Sequence, residues 1–118
     1  MQFILRGKIK PYVHRTYKGK WTDRAKEYHA SQNAVRVQMA NQMQLAGMKR
    51  IPRGVPLRIS ICATVPNRLH GFDCTNIQKA IEDAAQTIVF ENDCWVDQIA
   101  TFRQLGKDYI TIVDIDLL

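Results

Sequence analysis

The chain has 118 residues, which is the length of one compact domain and too short for two domains of ordinary size. Its 46% apolar and 24% charged residues are typical of a globular protein, and without a run of about 18 apolar residues we expect no membrane span. Three cysteines without a regular spacing predict reduced thiols, and therefore a cytoplasmic protein.

The net charge of +6 is unevenly distributed along the chain. Residues 1–58 contain 13 lysines and arginines against two acidic residues, whereas residues 59–118 contain four basic and nine acidic residues. A basic half joined to an acidic half suggests a surface that binds a polyanion beside a site that binds a cation. The alternative is a solvated basic surface with no such partner, which is common among small basic proteins.

The first half of the chain predicts a strand, a basic loop and a long helix. Residues 2–9 predict the strand, and residues 10–24 a polar loop in which basic residues alternate with Tyr12, Tyr17 and Trp21. Such a loop could hold phosphates and stack on exposed bases, although each aromatic ring could instead pack beneath the loop.

The long helix is predicted from an N-cap at Thr22 to about Gly47. Apolar residues spaced by three, four or seven positions indicate its buried side. This stripe consists of Tyr28, Val35, Met39, Met43 and Ala46. Apolar and polar residues then alternate over residues 57–65, which predicts a half-buried strand.

A second helix is predicted from Thr75 to about Val89, with the spacing of a capping box between Thr75 and Gln78. Its buried stripe consists of Ile77, Ile81, Ala84 and Ile88. Strands from about Trp95 to Gln104 and from Tyr109 to Leu117, joined by a Gly-Lys-Asp turn, predict a hairpin. On the last strand, Asp114 and Asp116 are interpreted as solvated edge charges.

These elements predict an α+β fold for a single domain over residues 1–118. We expect a small mixed β-sheet of about four strands and two main helices, in the order β-α-β-α-β-β.

A cluster of polar residues surrounds the second helix. Asn76, Lys79 and Asp83 share the helix face opposite the apolar stripe, and Asp73 lies just before the helix. Asp93 lies in the loop after it, and we expect it to reach Asp73 only if it begins a strand beside the strand that ends at Pro66.

Carboxylates that converge on one point bind Mg²⁺ or Mn²⁺, which activates water and a phosphoryl oxygen, while a nearby lysine neutralises charge on the phosphate. Spacing alone also allows ordinary explanations for these residues. Asp73 could be a helix N-cap, Lys79 and Asp83 an i,i+4 ion pair, and residues 91–93 a plain loop.

The segment from Asp73 to Val96 resembles the RusA-like Holliday-junction resolvases, which are small metal-dependent DNA endonucleases often carried by phages and prophages. The family pattern is Asp-x-Asp-Asn-x-x-Lys, followed by an Asp four residues after the lysine. An aromatic residue then precedes an Asp-Asp pair and a valine. This chain is similar to that pattern over about residues 66–105. The matching residues are Asp73, Asn76, Lys79, Asp83, Phe90, Asp93 and Val96.

Two residues depart from the family pattern. Thr75 stands at the place of the second acid, and Asn92 at the first place of the Asp-Asp pair. Thr75 carries one negative charge fewer, although its hydroxyl could hold a water or cap the helix. Asp83 and Glu91 are possible substitutes for the absent carboxylate.

The resemblance implies a homodimer that cuts four-way DNA junctions symmetrically, with Mg²⁺ or Mn²⁺ as cofactor. It implies Asp73, Lys79 and Asp93 as catalytic residues. Metal ligands or their supports would be Asp73, Asp93, Thr75 and Asp83. Contacts with DNA would come from Lys10, Arg15, Lys18, Lys20, Lys49, Arg50, Arg53 and Asn76.

Two other classes of function stay open on the sequence. A catalytically impaired protein could bind junctions or other nucleic acids with the same basic surface, and its acids would then act as helix caps. A zinc-bearing module could use His70, Cys74 and Cys94, although their spacing matches no common zinc motif.

Overall fold

A computed structural model describes residues 1–11, 23–68 and 73–118. Strands and helices follow one another in the predicted order. The elements are β1 (Gln2–Arg6), α1 (Asp23–Ala46), β2 (Leu57–Val65), α2 (Cys74–Ala85), a short 3-10 turn (Asp93–Trp95), β3 (Val96–Leu105) and β4 (Ile110–Leu117). In this part of the chain, neither helix has the length and apolar character needed to cross a membrane.

The four strands form one mixed sheet in the order β1-β4-β2-β3. β2 is central, parallel to β3 on one side and antiparallel to β4 on the other, and β1 pairs with β4 in the antiparallel direction. The predicted α+β fold with a four-stranded mixed sheet and two helices is therefore confirmed.

The predicted hairpin between the last two strands is wrong, because β2 lies between β3 and β4. The connection after β3 passes across the end of β2, where the Gly106 backbone N–H donates to the Val65 carbonyl at 3.0 Å. A Cβ at Gly106 would collide with the Thr64 side chain, so a larger residue here would force Thr64 to move. A tight-turn sequence is compatible both with a hairpin and with this crossing connection. The crossing places β2 between β3 and β4, so that the apolar β2 has a hydrogen-bonded neighbour on each edge.

β4 is an interior strand, which corrects the interpretation of its two aspartates as edge charges. The Asp114 Oδ1 accepts from the Gln2 side-chain amide at 3.1 Å. Asp116 forms an ion pair with Arg58 at 3.5 Å. Both carboxylates therefore lie against neighbouring strands rather than along an unpaired edge.

The two helices pack on the sheet and enclose the core. The predicted stripe of α1 is buried at Tyr28, Val35, Met39 and Met43, but Ala46, the last residue of the helix, is exposed. The side chains of Ile77, Ile81 and Ala84 of α2 are buried as predicted. The alternation over residues 57–65 is confirmed, since every second residue of β2 is buried.

α2 ends at Ala85, four residues before the predicted end at Val89. Gln86 has an extended backbone, and Thr87 adopts a left-handed conformation with φ 73°. This turn brings Val89 and Phe90 into the core, and it leaves Ile88 only half-buried. β1 is also shorter than predicted, because Gly7 has φ 98° and ends the strand at Arg6.

Candidate functional site on α2

Asp73 caps the N-terminus of α2. Its Oδ1 accepts hydrogen bonds from the backbone N–H groups of Thr75 at 2.8 Å and Asn76 at 3.2 Å. The predicted capping box is therefore wrong, because Asp73, and not Thr75, is the N-cap residue. Gln78, the second residue of the predicted box, instead accepts a hydrogen bond at Oε1 from Thr101 Oγ1 on β3 at 2.9 Å. The capping explanation for Asp73 therefore holds.

Lys79 and Asp83 form an ion pair one helical turn apart, with 3.2 Å between Nζ and Oδ1. The hydrogen bond to Asp83 raises the pKa of the Lys79 ammonium, and it outweighs the opposing effect of burial. The negative charges of Glu82 and Asp93 act in the same direction. Lys79 is therefore held as a cation within an acidic environment on the exposed side of α2.

Glu82 and Asp93 form a carboxyl pair beside Lys79. Burial raises the pKa of Glu82, and the hydrogen bond and charge of the Asp93 carboxyl raise it further. Glu82 was not among the predicted site residues, because it lies outside the helix face shared by Asn76, Lys79 and Asp83. The available signal was its spacing of three residues from Lys79, which places the two side chains on adjacent turns.

The position of Asp93 follows from the turn that precedes β3. Asn92 caps this turn, since its Oδ1 accepts from the Cys94 backbone N–H at 2.9 Å. Asn92, one of the two departures from the family pattern, therefore has a local structural role. An amide oxygen performs this capping as well as a carboxylate does.

Asp73 and Asp93 reach α2 at different places. β3 pairs beside β2 as expected, but the strands are parallel, so Val96 lies opposite Leu57 at the start of β2. Asp73 caps the first turn of α2, whereas Asp93 lies near Glu82 in the third turn and raises the pKa of that carboxyl. Nine residues of helix place the Cα atoms of positions 73 and 82 about 13 Å apart. The described acids thus gather as Glu82, Asp83 and Asp93 around Lys79, with Asp73 and Thr75 at the start of the helix.

Two polar side chains of α1 hold α2 in place. Gln32 is buried, and its amide donates to the Ala80 carbonyl at 2.8 Å. The Arg36 guanidinium donates to the Asp83 carbonyl at 3.3 Å. Both bonds end on α2 backbone atoms close to Lys79, so α1 fixes the helix segment that carries the polar cluster.

The predicted DNA contacts occupy separate parts of the surface. Lys10 pairs with Glu27 at 3.7 Å between Nζ and Oε2, and the Arg50 guanidinium donates to the Thr87 carbonyl at 3.0 Å. Lys49 and Arg53 are exposed in the same connector as Arg50. Arg15, Lys18 and Lys20, the N-cap at Thr22 and the three aromatic residues of the basic loop lie outside the described residues.

The described part of the chain contains no ready-made centre for zinc or for another metal ion. Within residues 1–11, 23–68 and 73–118, no group of three or more His, Cys, Asp or Glu residues is arranged to hold a metal ion. Cys74 and Cys94 are free and exposed, and His70 lies outside the described residues.

The chain matches a known protein family over most of its length. A family described as endodeoxyribonuclease RusA matches residues 6–115, which is nearly the whole chain. No curated protein matches the chain.

Proposed function

Because this chain belongs to the endodeoxyribonuclease RusA family, we propose that it resolves four-way DNA junctions by metal-dependent hydrolysis of phosphodiester bonds. The family supports a junction-resolving endonuclease in general. The observation that carries the finer proposal is the cluster on α2, where a lysine held as a cation lies beside three carboxyl groups. A metal-dependent phosphoryl-transfer site can use carboxylates to hold the ion and a lysine to neutralise charge on the phosphate.

The donor set of the cluster suits Mg²⁺ or Mn²⁺. Carboxylate oxygens are the hard ligands that these ions prefer, and Mg²⁺ is commonly held by one or two carboxylates together with substrate phosphates. A group of three protein ligands is therefore not required before DNA binds. When bound, the ion would activate water and polarise a phosphoryl oxygen.

We assign the ligand roles to Asp93 and Asp73, with Thr75 or Asp83 as support. Asp93 is the better supported ligand, because its charge raises the pKa values of both Glu82 and Lys79. Asp73 uses one oxygen for the helix cap, and ligation would have to share that carboxylate. Lys79 would contact the scissile phosphate or orient the attacking water, and its pairing with Asp83 keeps the ammonium protonated and positioned.

The basic residues would bind the phosphates of the junction arms. Contacts of lysine and arginine with phosphates provide affinity without reading sequence, and they make binding dependent on salt. The connector of Lys49, Arg50 and Arg53 is the described part of this surface, and Asn76 lies half-buried in the first turn of α2. Lys10, Arg15, Lys18 and Lys20 would extend the surface along the chain.

A four-way junction presents two strands for symmetric cutting, and a two-fold homodimer with one site per subunit matches that symmetry. We therefore include a homodimer in the proposal. We also include a phage or prophage origin, as the family resemblance implies, and action on DNA in the cytoplasm.

Cleavage of a labelled synthetic four-way junction, compared with linear duplex, tests the proposal. We expect paired nicks on opposite strands with Mg²⁺ or Mn²⁺, none with EDTA, and none from Asp93→Asn. The matched control is Asp108→Asn, which removes an exposed carboxylate from the turn after β3 and should leave cutting unchanged. Full cutting by Asp93→Asn would refute the role given to Asp93.

A second candidate function is junction binding without cleavage. It is favoured by Thr75, which lacks the carboxylate of the family pattern, and by the helix-capping role of Asp73. Equal retardation of junction DNA with Mg²⁺ and with EDTA, and no cutting in any metal, would establish this function instead.

A further inference from the structure

β3 is a long edge strand. It spans ten residues and pairs with β2 along one side. Within residues 1–11, 23–68 and 73–118, no strand pairs with its other side. Seven of its residues are exposed, and they include the large apolar side chains of Phe102 and Leu105. An exposed edge of this length offers a row of backbone groups to another strand, and proteins usually protect such edges.

The sequence of β3 is self-complementary about Ala100. Asp97 and Arg103 lie three residues before and three residues after it, and both are exposed. When two copies of β3 pair in the antiparallel direction with Ala100 opposite Ala100, Asp97 of each copy lies opposite Arg103 of the other. Directly opposed residues point to the same face of an antiparallel sheet, so the opposite charges would meet twice across the two-fold axis.

The remaining pairs of this register are compatible with close pairing. Gln98 would lie opposite Phe102, and Val96 opposite Gln104. The smallest side chain of the segment lies on the axis, where identical residues face each other. Moving the register by a residue or two would separate the opposed charges.

We propose that a second copy of this chain binds along β3, in the antiparallel direction and centred on Ala100, to form a continuous eight-stranded sheet. This inference rests on the homodimer of the proposed function, and it names the surface that forms it. The two-fold axis passes through the sheet, as the symmetry of an isologous interface requires.

A charge exchange tests the register. Asp97 and Arg103 are six residues apart on one strand, which is about 20 Å, so they cannot pair directly within one chain. We expect Arg103→Asp to raise the dimer dissociation constant roughly tenfold, because two like-charged pairs replace two attractive ones. The double variant with Asp97→Arg should restore dimerisation, since the charges again oppose each other across the axis. Lys107→Asp, the same change of charge in the turn after β3, is the matched control.

A cross-link provides a second test. In a background with Cys62→Ala, Cys74→Ser and Cys94→Ser, Ala100→Cys should form a disulfide-linked dimer under mild oxidation. Opposed residues on the axis have Cα atoms about 5 Å apart, within the range of a disulfide. Gln98→Cys is the control, because its two copies would lie four residues apart along the strands, beyond that range.

Sedimentation velocity across a concentration series separates the outcomes. A wild-type dimer that is weakened by Arg103→Asp and restored by the double variant supports the proposal. If the dimer dissociation constant is changed by neither variant and Ala100→Cys forms no cross-link, the β3 interface is wrong. The homodimer itself is then still supported. A wild-type protein that stays monomeric at all concentrations overturns both, whereas the cleavage assay judges the activity separately.

Discussion

Glu82 on α2 and Asp93 in the turn before β3 lie close enough for the Asp93 carboxyl to raise the pKa of Glu82, although the two residues belong to different elements. Two carboxyl groups this close disfavour simultaneous ionisation, and the partial burial of Glu82 adds to the effect. A divalent cation or a proton would relieve the repulsion. This relationship joins the end of α2 to the start of β3, and it concentrates negative charge where Lys79 is held.

Replacement of Glu82 by glutamine should change how stability depends on pH. The raised pKa of Glu82 favours the protonated carboxyl in the folded protein. The stability that this carboxyl contributes is therefore fully present at a pH below the ordinary pKa of glutamate. That stability is lost as the pH rises through the raised pKa of the folded protein. Glu82→Gln should therefore match the wild type in acid and become the more stable protein as the pH rises. Urea unfolding with EDTA at several pH values measures this difference.

Glu91→Gln is the matched control for that titration, because it removes an exposed carboxylate from the neighbouring loop. A stability difference between Glu82→Gln and the wild type that stays constant from acid to neutral pH would contradict the prediction.

Removal of Asp83 should lower the pKa of Lys79. The hydrogen bond to Asp83 is the largest cause of the raised value, so Asp83→Asn should bring it down toward the ordinary lysine range. Because the pair is partly exposed, its loss should cost only a few tenths of a kcal/mol in stability. NMR titration of the lysine side chains in the wild type and in Asp83→Asn measures the shift. An unchanged Lys79 titration would rule out Asp83 as the main cause.

Asp73 can be tested for capping and for metal ligation separately. Asp73→Ala removes the cap and should lower the free energy of unfolding by about 1 kcal/mol. Asp73→Ser keeps a side-chain oxygen that can accept from the helix N–H groups, so it should retain most of the stability but lose the carboxylate ligand. Chemical denaturation measures the first effect, and Mn²⁺ binding followed by electron paramagnetic resonance measures the second. Wild-type Mn²⁺ affinity in Asp73→Ser would show that Asp73 serves as a cap alone.

Gly106 should resist substitution because of the close approach of Thr64. Gly106→Ala would place a Cβ against Thr64 Cγ2 and should destabilise the protein by about 1–3 kcal/mol. Thr64→Ser removes that methyl group but keeps the hydroxyl that accepts from the Gln104 side-chain amide. The double variant should therefore recover much of the loss, as measured by thermal unfolding. Equal destabilisation with and without Thr64→Ser would place the cause elsewhere.

Local sequence patterns determined the elements of this protein. The alternation over residues 57–65 predicted β2 with its observed bounds, because each strand residue points to one face of the sheet. The stripe on α1 and the apolar face of α2 identified most of the buried helix residues. The motif from Asp73 to Asp93 also indicated the family and the helix that carries the candidate site.

Only the tertiary structure decided how these elements meet. A turn signal at residues 106–108 is the same whether the strands pair with each other or flank β2, and the pairing depends on contacts between residues far apart in the chain. α2 ends early because Val89 and Phe90 fill the core, a packing gain that helix periodicity does not include. The effect of Asp93 on the pKa of Glu82 likewise requires the turn before β3 to lie near α2. Spacing along the chain fixes neighbours within one helix or strand, whereas the meeting of two elements is set by the burial and hydrogen bonding of the whole domain.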